Sequence, residues 1–141
     1  MTNALRYRDD APNDEPAVTL DAFLGQSNAT AVRLEPGDDA RQLIPHLGRL
    51  SLIEIAFPAF RDGRGYSSAR ILREAGYTGE LRAAGDVLVD QIAYMRRTGF
   101  DSFHANVELD AAAVDRALGR YEHVYQKAAD GRSPVWALRH G

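Results

Sequence analysis

The residues best suited to chemistry lie in one segment, residues 57–70, with the sequence FPAFRDGRGYSSAR. This segment joins a predicted strand to a predicted helix. The N–H groups at a helix start bind anions, and arginine adds bidentate hydrogen bonds. We therefore predict an anion-binding or partner-binding loop composed of Arg61, Asp62, Gly63, Arg64, Gly65, Tyr66 and Ser67. The alternative is a tight turn in which Asp62 and Arg64 make local hydrogen bonds.

The same segment carries no nucleotide-binding fingerprint. It lacks the lysine of the Walker pattern and the order GxGxxG. The chain also has no cysteine, which excludes disulfides, thiol catalysis and iron–sulfur ligation. We therefore predict no cofactor, and any redox chemistry would have to come from a bound group or from another subunit.

A second set of candidates comes from alternation along four predicted strands. Side chains at every second position are apolar, and those between them are largely polar. This pattern is typical of a sheet with one buried face and one solvent-exposed face. We align the four strands by the glycines and helix caps that follow them. This alignment gives similar positions along the strands, which we call heights, to Arg33, Glu54, Arg82 and His104. The sequence thus predicts a polar row across one sheet face, and we add Arg33, Glu54 and Arg82 to the anion- or partner-binding residues.

His104 and Asp86 are the candidates for proton transfer. The strand that carries His104 can aim its side chain along the polar row near Asp86 and Arg82. A surface or interface histidine is the alternative for His104, and capping of the next helix is sufficient to explain Asp86. The four histidines occupy different elements without HxH or HExxH spacing, so no metal site is predicted.

The elements that must position these residues alternate along the chain. Residues 1–16 are rich in Asp, Asn and Pro and are predicted to form a flexible arm, with one α/β domain over residues 17–141. Strands are predicted over Ala31–Glu35, Ser51–Phe57, Glu80–Ala84 and Asp101–Ala105. Helices are predicted over residues 20–24, from 38 or 39 to 47, over 67–75 and 87–97, and after Asp110.

This alternation is typical of parallel βαβ units. Because the strands have one polar face, we expect helices mainly on the other face, as in (β/α) barrels. A full barrel needs about 250 residues, so four units predict a half-barrel-like sheet. Its polar face would be closed by the terminal segments, by a second copy or by a partner. The alternative is an open, flavodoxin-like three-layer sheet in which Glu54 and Arg82 form a structural ion pair.

The charge balance excludes several classes of partner. The 141 residues carry 20 acidic and 17 basic side chains, a net charge of −3. Nucleic acids and anionic membranes normally require a concentrated basic surface, so neither is expected as a partner. The polar N-terminal segment does not resemble a secretory signal, and we expect a cytoplasmic protein.

Several motifs together resemble a bacterial family, the domain-of-unknown-function family 934. They are FP-x₃-DGRGYS at residues 57–67, Ala69-Arg70, Gly76-Tyr77, GELRA at 79–83, GDVL at 85–88, Asp90-Gln91 and MRR-x-GFD at 95–101. The family often carries an oxidoreductase label and is associated with assimilatory sulfite reductase in proteobacteria. The resemblance implies a role in reducing sulfite to sulfide, or in supporting the enzyme that does so. The family often has Cys where this chain has Thr98.

Three hypotheses for function follow. In the first, the protein is an accessory protein of sulfur assimilation that acts with sulfite reductase, and its polar face and the loop at residues 62–66 bind an oxyanion or the partner. In the second, it is a small enzyme in which Arg64 and Arg82 hold an anionic substrate while His104 or Asp86 transfers protons. In the third, it is an assembly or stability factor without a ligand. A homodimer is compatible with each.

Overall fold

A computed structural model of the chain describes residues 2–25, 28–59 and 63–125, with side chains described up to residue 119. The strands are β1 (Thr2–Arg6), β2 (Val18–Thr19), β3 (Ala31–Leu34), β4 (Leu52–Phe57), β5 (Glu80–Gly85) and β6 (Ser102–Leu109). The α-helices are α1 (Leu20–Leu24), α2 (Arg64–Glu74), α3 (Val89–Thr98) and α4 (Ala111–Tyr125), and a 3-10 helix spans Ala40–Arg49.

All six strands form one sheet in the order β1-β6-β5-β4-β3-β2. Strands β2 to β6 are parallel and follow one another in chain order, whereas β1 pairs with β6 in the antiparallel direction. Right-handed crossovers that always advance in one direction place their helices on the same sheet face. A flavodoxin-like order requires a reversal of direction, and this sheet has none. The open sheet, whose edges are β1 and β2, confirms the predicted α/β class and does not close into a barrel.

The core lies between this sheet face and the helices. The strands supply the predicted apolar parity, with Val32, Ile53, Leu81 and Phe103 at most 1% exposed. The helices and the 3-10 helix add Phe23, Leu43, Leu72, Ile92, Met95, Val114 and Leu118 to the same cluster. Helix packing on one face is therefore confirmed for the described residues. Among them, no helix is both long enough and apolar enough to cross a membrane.

The four predicted strands are confirmed with small changes at their ends, and side chains cap two of the helices. The hydroxyl of Thr19 accepts from the N–H of Ala22 at the start of α1, and a carboxylate oxygen of Asp110 accepts from the N–H of Ala112 at 3.0 Å. The predicted helix near residues 38–47 is instead a 3-10 helix that contains Pro45. Proline cannot donate the backbone hydrogen bond that an α-helix interior requires.

The prediction that Asp86 caps a helix is wrong. Helix α3 begins at Val89 with Leu88 as its N-cap residue, and the side chain of Gln91 accepts from the N–H of Leu88 at 3.1 Å. The N–H of Asp86 donates to the carbonyl of Phe57 at 2.7 Å. Asp86 therefore belongs to the turn after β5, because its backbone ties that turn to the end of β4.

The prediction of a flexible arm is wrong for residues 2–6, which form the edge strand β1. Opposite β6, Arg6 pairs with Ser102 and Ala4 with His104. Leu5 and Tyr7 pack against the core, whereas Arg6 lies among the charged groups of the opposite face. The segment is polar in composition, but its alternation places the apolar side chains inward and the arginines outward.

The turn after β5 depends on a glycine. Gly85 has φ of +116°, and a Cβ atom at this position would overlap the carbonyl oxygen of Phe57. We predict that Gly85→Ala lowers the free energy of unfolding by about 2 kcal/mol or more, because alanine adds a strained backbone to this overlap. Urea denaturation measures the change.

Gly48→Ala is the matched control for Gly85→Ala. A Cβ atom at Gly48 would meet nothing within 4 Å, so the stability of this variant should be close to that of the parent chain. Equal stabilities of the two variants would contradict the role assigned to Gly85.

Candidate functional site

The sheet face opposite the helices carries a row of polar side chains in strict register. Arg33 pairs with Glu54, Glu54 with Arg82 and Arg82 with Ser102 across strands β3 to β6. The predicted row is confirmed for its first three members. The predicted height of His104 is wrong, because it lies two residues further along β6, opposite Ala84. Strand β6 runs on to Leu109, so the cap that follows it does not mark the same height as in the shorter strands.

The charges of this sheet face continue through Asp10, Arg8 and Asp101 to Arg73 on α2, and together they form one alternating series, which we call the charge ladder. Ion pairs link its described members in the order Glu35, Arg33, Glu54, Arg82, Glu80, Arg6, Asp10, Arg8, Asp101 and Arg73. Each carboxylate inside the series lies between two arginines. Arginine suits this arrangement because its planar guanidinium presents several donors and keeps its charge.

Glu54 is the member of the ladder that lies on β4. Its two carboxylate oxygens accept separately, Oε1 from Arg33 and Oε2 from Arg82 at 3.2 Å. Burial disfavours the charge on Arg33, but hydrogen bonds to Glu35 and Glu54 outweigh this and raise its pKa. The structure thus assigns Arg33, Glu54 and Arg82 a shared electrostatic role.

Asp101 anchors the other end of the ladder just before β6. It is 1% exposed, and Oδ1 accepts from the N–H of Leu81 at 2.8 Å. Oδ2 accepts from Arg8 at 2.7 Å and from Arg73 at 3.1 Å. Arg73 also donates to the backbone carbonyl of Gly99. Asp101 therefore joins β5, β6, α2 and the N-terminal segment.

The ladder changes the interpretation of the predicted anion site. Its described members comprise five arginines and five carboxylates, so their formal charges cancel. An anion at Arg33 would have to compete with Glu35 and Glu54. The polar row is therefore a balanced charged surface rather than a strip of available cations.

A cleft interrupts this surface beside β6. It measures about 210 Å³ and is lined by Ala4, Leu5, Arg6, Glu80, Arg82, Ser102, Phe103 and His104. We call it the Ser102 cleft, because the short side chain of Ser102 lies in register between Arg82 on β5 and Arg6 on β1. His104 is exposed and lines the same cleft. Asp86, its predicted partner, is not among the lining residues.

The predicted loop is described only in part. Arg61 and Asp62 lie outside the described residues. Gly63 is the N-cap residue of α2. A Cβ atom at Gly65 would overlap the ring of Phe57, so this glycine allows α2 to approach β4.

The next residues of the loop belong to the first turn of α2. Tyr66 packs between the rings of Phe57 and Tyr94, with centroid distances of 5.4 and 5.2 Å, and burial raises its pKa. The N–H of Ser67 bonds to the carbonyl of Gly63 at 3.4 Å, and its side chain is exposed. These contacts give Tyr66 a packing role.

Arg64 and Arg82, the predicted substrate clamp, line different cavities. Arg64 borders a small space of about 10 Å³ beside the ends of β3 and β4, together with Gly65 and Ser68. This volume is near the minimum that holds one water molecule. Arg82 lines the Ser102 cleft. The structure therefore does not bring the two arginines into one described pocket.

Sequence analysis missed Arg6, Glu80 and Ser102 as members of the cleft. One signal for β1 was present: Leu5 and Tyr7 alternate with Arg6 and Arg8, which is the period of a strand. The alternation of the strands places Ser102 and Glu80 on the polar face, but the position of Ser102 between two arginines depends on the register of three strands.

The fold and the site define an open α/β protein with one helix-covered sheet face and one charged sheet face. A family model described as "Bacterial protein of unknown function (DUF934)" matches residues 31–136. This is more than half of the chain, and the protein therefore belongs to that family. No curated protein and no solved structure matches the chain. The hydroxyl of Thr98 donates to the carbonyl of Met95 at 2.9 Å.

The anchor at Asp101 gives the first prediction for this face. Asp101→Asn keeps the size of the side chain and removes the charge that faces Arg8 and Arg73, whose side chains are 10% and 9% exposed. We expect a loss of about 3 kcal/mol in the free energy of unfolding, because a buried charge without its partner is costly. Urea denaturation tests this, with exposed Asp90→Asn on α3 as the control. Equal, small losses in both variants would contradict the anchor.

Asp10 gives a prediction for pH dependence. Its hydrogen bond from Arg8, aided by Arg6 and opposed by burial, lowers its pKa from 3.8 to about 2. A carboxyl with a lowered pKa in the folded protein stabilises the fold above its unfolded pKa, and this contribution disappears as pH falls through the folded pKa. The stability advantage of the parent chain over Asp10→Asn should therefore shrink between pH 3.8 and about pH 2.

Thermal denaturation at a series of pH values measures this advantage. Asp14→Asn, at an exposed position of the same segment, is the control. An advantage that stays constant down to pH 2 would contradict the assigned ion pairs.

Proposed function

We propose that the protein is a cytoplasmic accessory protein of assimilatory sulfur metabolism that acts with sulfite reductase and docks on it through the charged sheet face. The observation that carries this proposal is the one-sided fold. All described helices pack on one face, and the other face displays the part of the charge ladder that runs from Glu35 to Arg6. The family resemblance of the motifs at residues 57–101 supports the choice of partner.

The charge ladder has the properties of a preorganised docking surface. Arg33 and Arg82 are 37% and 23% exposed, and each is held by two carboxylates. Side chains that are already fixed lose little conformational entropy when a partner binds. Alternating charges confer specificity for a complementary pattern rather than a general attraction to one sign of charge.

Docking explains the polar face more fully than stand-alone catalysis does. Arg33 and Arg82 are occupied by carboxylates, and Arg64 lines a different cavity from Arg82. In an accessory protein the electrons pass through the partner, which suits a chain with no cysteine. Proton transfer by His104 or Asp86 stays a prediction.

A binding assay with purified sulfite reductase from the same organism tests this proposal. We expect a one-to-one or higher complex, and we expect His104→Glu to weaken it at least tenfold, because a new carboxylate on the exposed rim disturbs the alternating charges. Arg70→Glu is the matched control, since Arg70 is exposed on α2 in the helical layer. Surface plasmon resonance at low and moderate salt measures both affinities.

Two outcomes of this assay would overturn the proposal. One is the absence of a complex at low salt. The other is a complex that Arg70→Glu weakens and His104→Glu does not, since the partner would then bind the helical layer. Size-exclusion chromatography of the protein alone completes the assay. A stable dimer broken by His104→Glu would assign the charged face to a second copy instead.

A further inference from the structure

We infer that the groove between helices α2 and α3 binds an aromatic oxyanion, that is, a planar ring that carries a phosphate or a carboxylate group. This site goes beyond the docking proposal, because it lies in the helical layer and not on the charged sheet face. The inference stands on the charge and volume of the groove, on an exposed arginine that pairs with no described residue, and on an exposed tyrosine ring.

Two helix faces form this groove, which we call the α2–α3 groove. Its lining consists of Arg70, Arg73 and Glu74 on α2 and Tyr94, Arg97 and Thr98 on α3. Each set follows the spacing i, i+3 and i+4, which places three side chains on one face of a helix. The two helices follow neighbouring parallel strands, β4 and β5, and contact each other. Their facing sides therefore border one space.

Fixed side chains form the inner wall of the groove. Arg73 donates to the carbonyls of Tyr77 and Gly79, each at 2.8 Å, and its side chain is 9% exposed. Thr98 is also 9% exposed, and its hydroxyl donates to a backbone carbonyl of α3. Because the protein already holds these side chains, a ligand does not have to order them when it binds.

Arg70 is the cation in the groove that is available to a ligand. It is exposed, and it makes no hydrogen bond or ion pair with any residue that the structure describes. The arginines of the charged sheet face differ, because carboxylates already pair with Arg33 and Arg82. A guanidinium can hold a carboxylate or a phosphate through two parallel hydrogen bonds.

The charges of the lining favour an anion over a cation. Three arginines and one glutamate give the lining a formal charge of +2, and Asp101 pairs with Arg73 at 3.1 Å. Glu74 is the one carboxylate of the lining, and it faces both Arg70 and Arg97 in number of charges. An oxyanion is therefore attracted to the groove, whereas a cation would meet repulsion.

Tyr94 supplies a surface for an aromatic ring. It is 45% exposed. Its ring packs on Tyr66 at a centroid distance of 5.2 Å, and the guanidinium carbon of Arg97 lies 6.0 Å from its centroid. These contacts hold the ring of Tyr94 in place, and aromatic rings stack on one another with a gain beyond the burial of area.

The volume of the groove decides between an inorganic and an organic anion. It measures about 450 Å³, within the range of about 300–1,000 Å³ that is typical of small-molecule sites. An inorganic phosphate ion would leave most of this space unfilled, and it has no apolar surface to pack on Tyr94. A ring that carries the anionic group fills more of the groove and uses both Arg70 and Tyr94.

NMR titrations of the isotope-labelled chain at low salt test the site, with phenyl phosphate as the probe. We expect the amide signals of residues 70–74 and 94–98 to shift. Phenyl phosphate should bind about tenfold or more tightly than inorganic phosphate or phenol, because each of these lacks either the ring or the anionic group. Benzoate carries a carboxylate in place of the phosphate, and the tighter of the two ring compounds identifies the anionic group.

Charge substitutions on α2 test the assigned contacts. Arg70→Gln should weaken phenyl phosphate binding about fivefold or more, because the guanidinium is lost. Its stability should be unchanged, since Arg70 has no described partner. Arg116→Gln, at an exposed position on α4, is the matched control and should bind as the parent chain does. Glu74→Gln should strengthen binding about threefold, because it removes a carboxylate that repels the anion.

Tyr94→Leu tests the contribution of the ring. This variant keeps an apolar side chain and removes the stacking surface, so phenyl phosphate should bind about fivefold more weakly. Binding of inorganic phosphate should not change. If the variant does not fold, because Tyr94 packs on Tyr66, the comparison of Arg70→Gln with Arg116→Gln decides the question.

Several results would overturn the inference. These are no binding of phenyl phosphate or benzoate, equal affinity for phenyl phosphate and inorganic phosphate, equal effects of Arg70→Gln and Arg116→Gln, or signal shifts confined to residues outside α2 and α3. Because these titrations contain no sulfite reductase, a failure here leaves the docking proposal to its own assay.

Discussion

The pairing of charges across the open face of the sheet is the interaction on which the rest of this structure depends. Each crossover from β2 to β6 advances in the same direction, so the described helices cover only one face. The other face must satisfy its polar groups without a second layer. Glu54 and Glu80 do so by each accepting from or pairing with two arginines. These ion pairs neutralise the charges on the face that the described helices do not cover.

The balance of charges in the ladder determines what kind of partner this face can recognise. Because five arginines are balanced by five carboxylates, the face offers a pattern of charge rather than an excess of one sign. Such a surface favours specific recognition of a protein over general attraction of anions. Beside Ser102, whose short side chain lies between two arginines, the described part of this face has a cleft of about 210 Å³.

The sequence predicted the parts of this fold that depend on local pattern. The alternation in residues 31–35, 51–57 and 80–84 identified the strands, their apolar face and the pairing of Arg33, Glu54 and Arg82. The alternation could not give the position of His104 along the sheet, because β6 is eight residues long and its end does not lie level with the ends of the shorter strands. It also missed β1, whose stability comes from contacts with residues about 100 positions away.

The most direct measurement of the central claim is hydroxyl-radical footprinting of the protein alone and in complex with sulfite reductase. His104 marks the charged face, and Tyr94, which is 45% exposed, marks the helical layer. If the charged face docks on the partner, oxidation of His104 falls in the complex while oxidation of Tyr94 is unchanged. Protection of Tyr94 with His104 still reactive would contradict it.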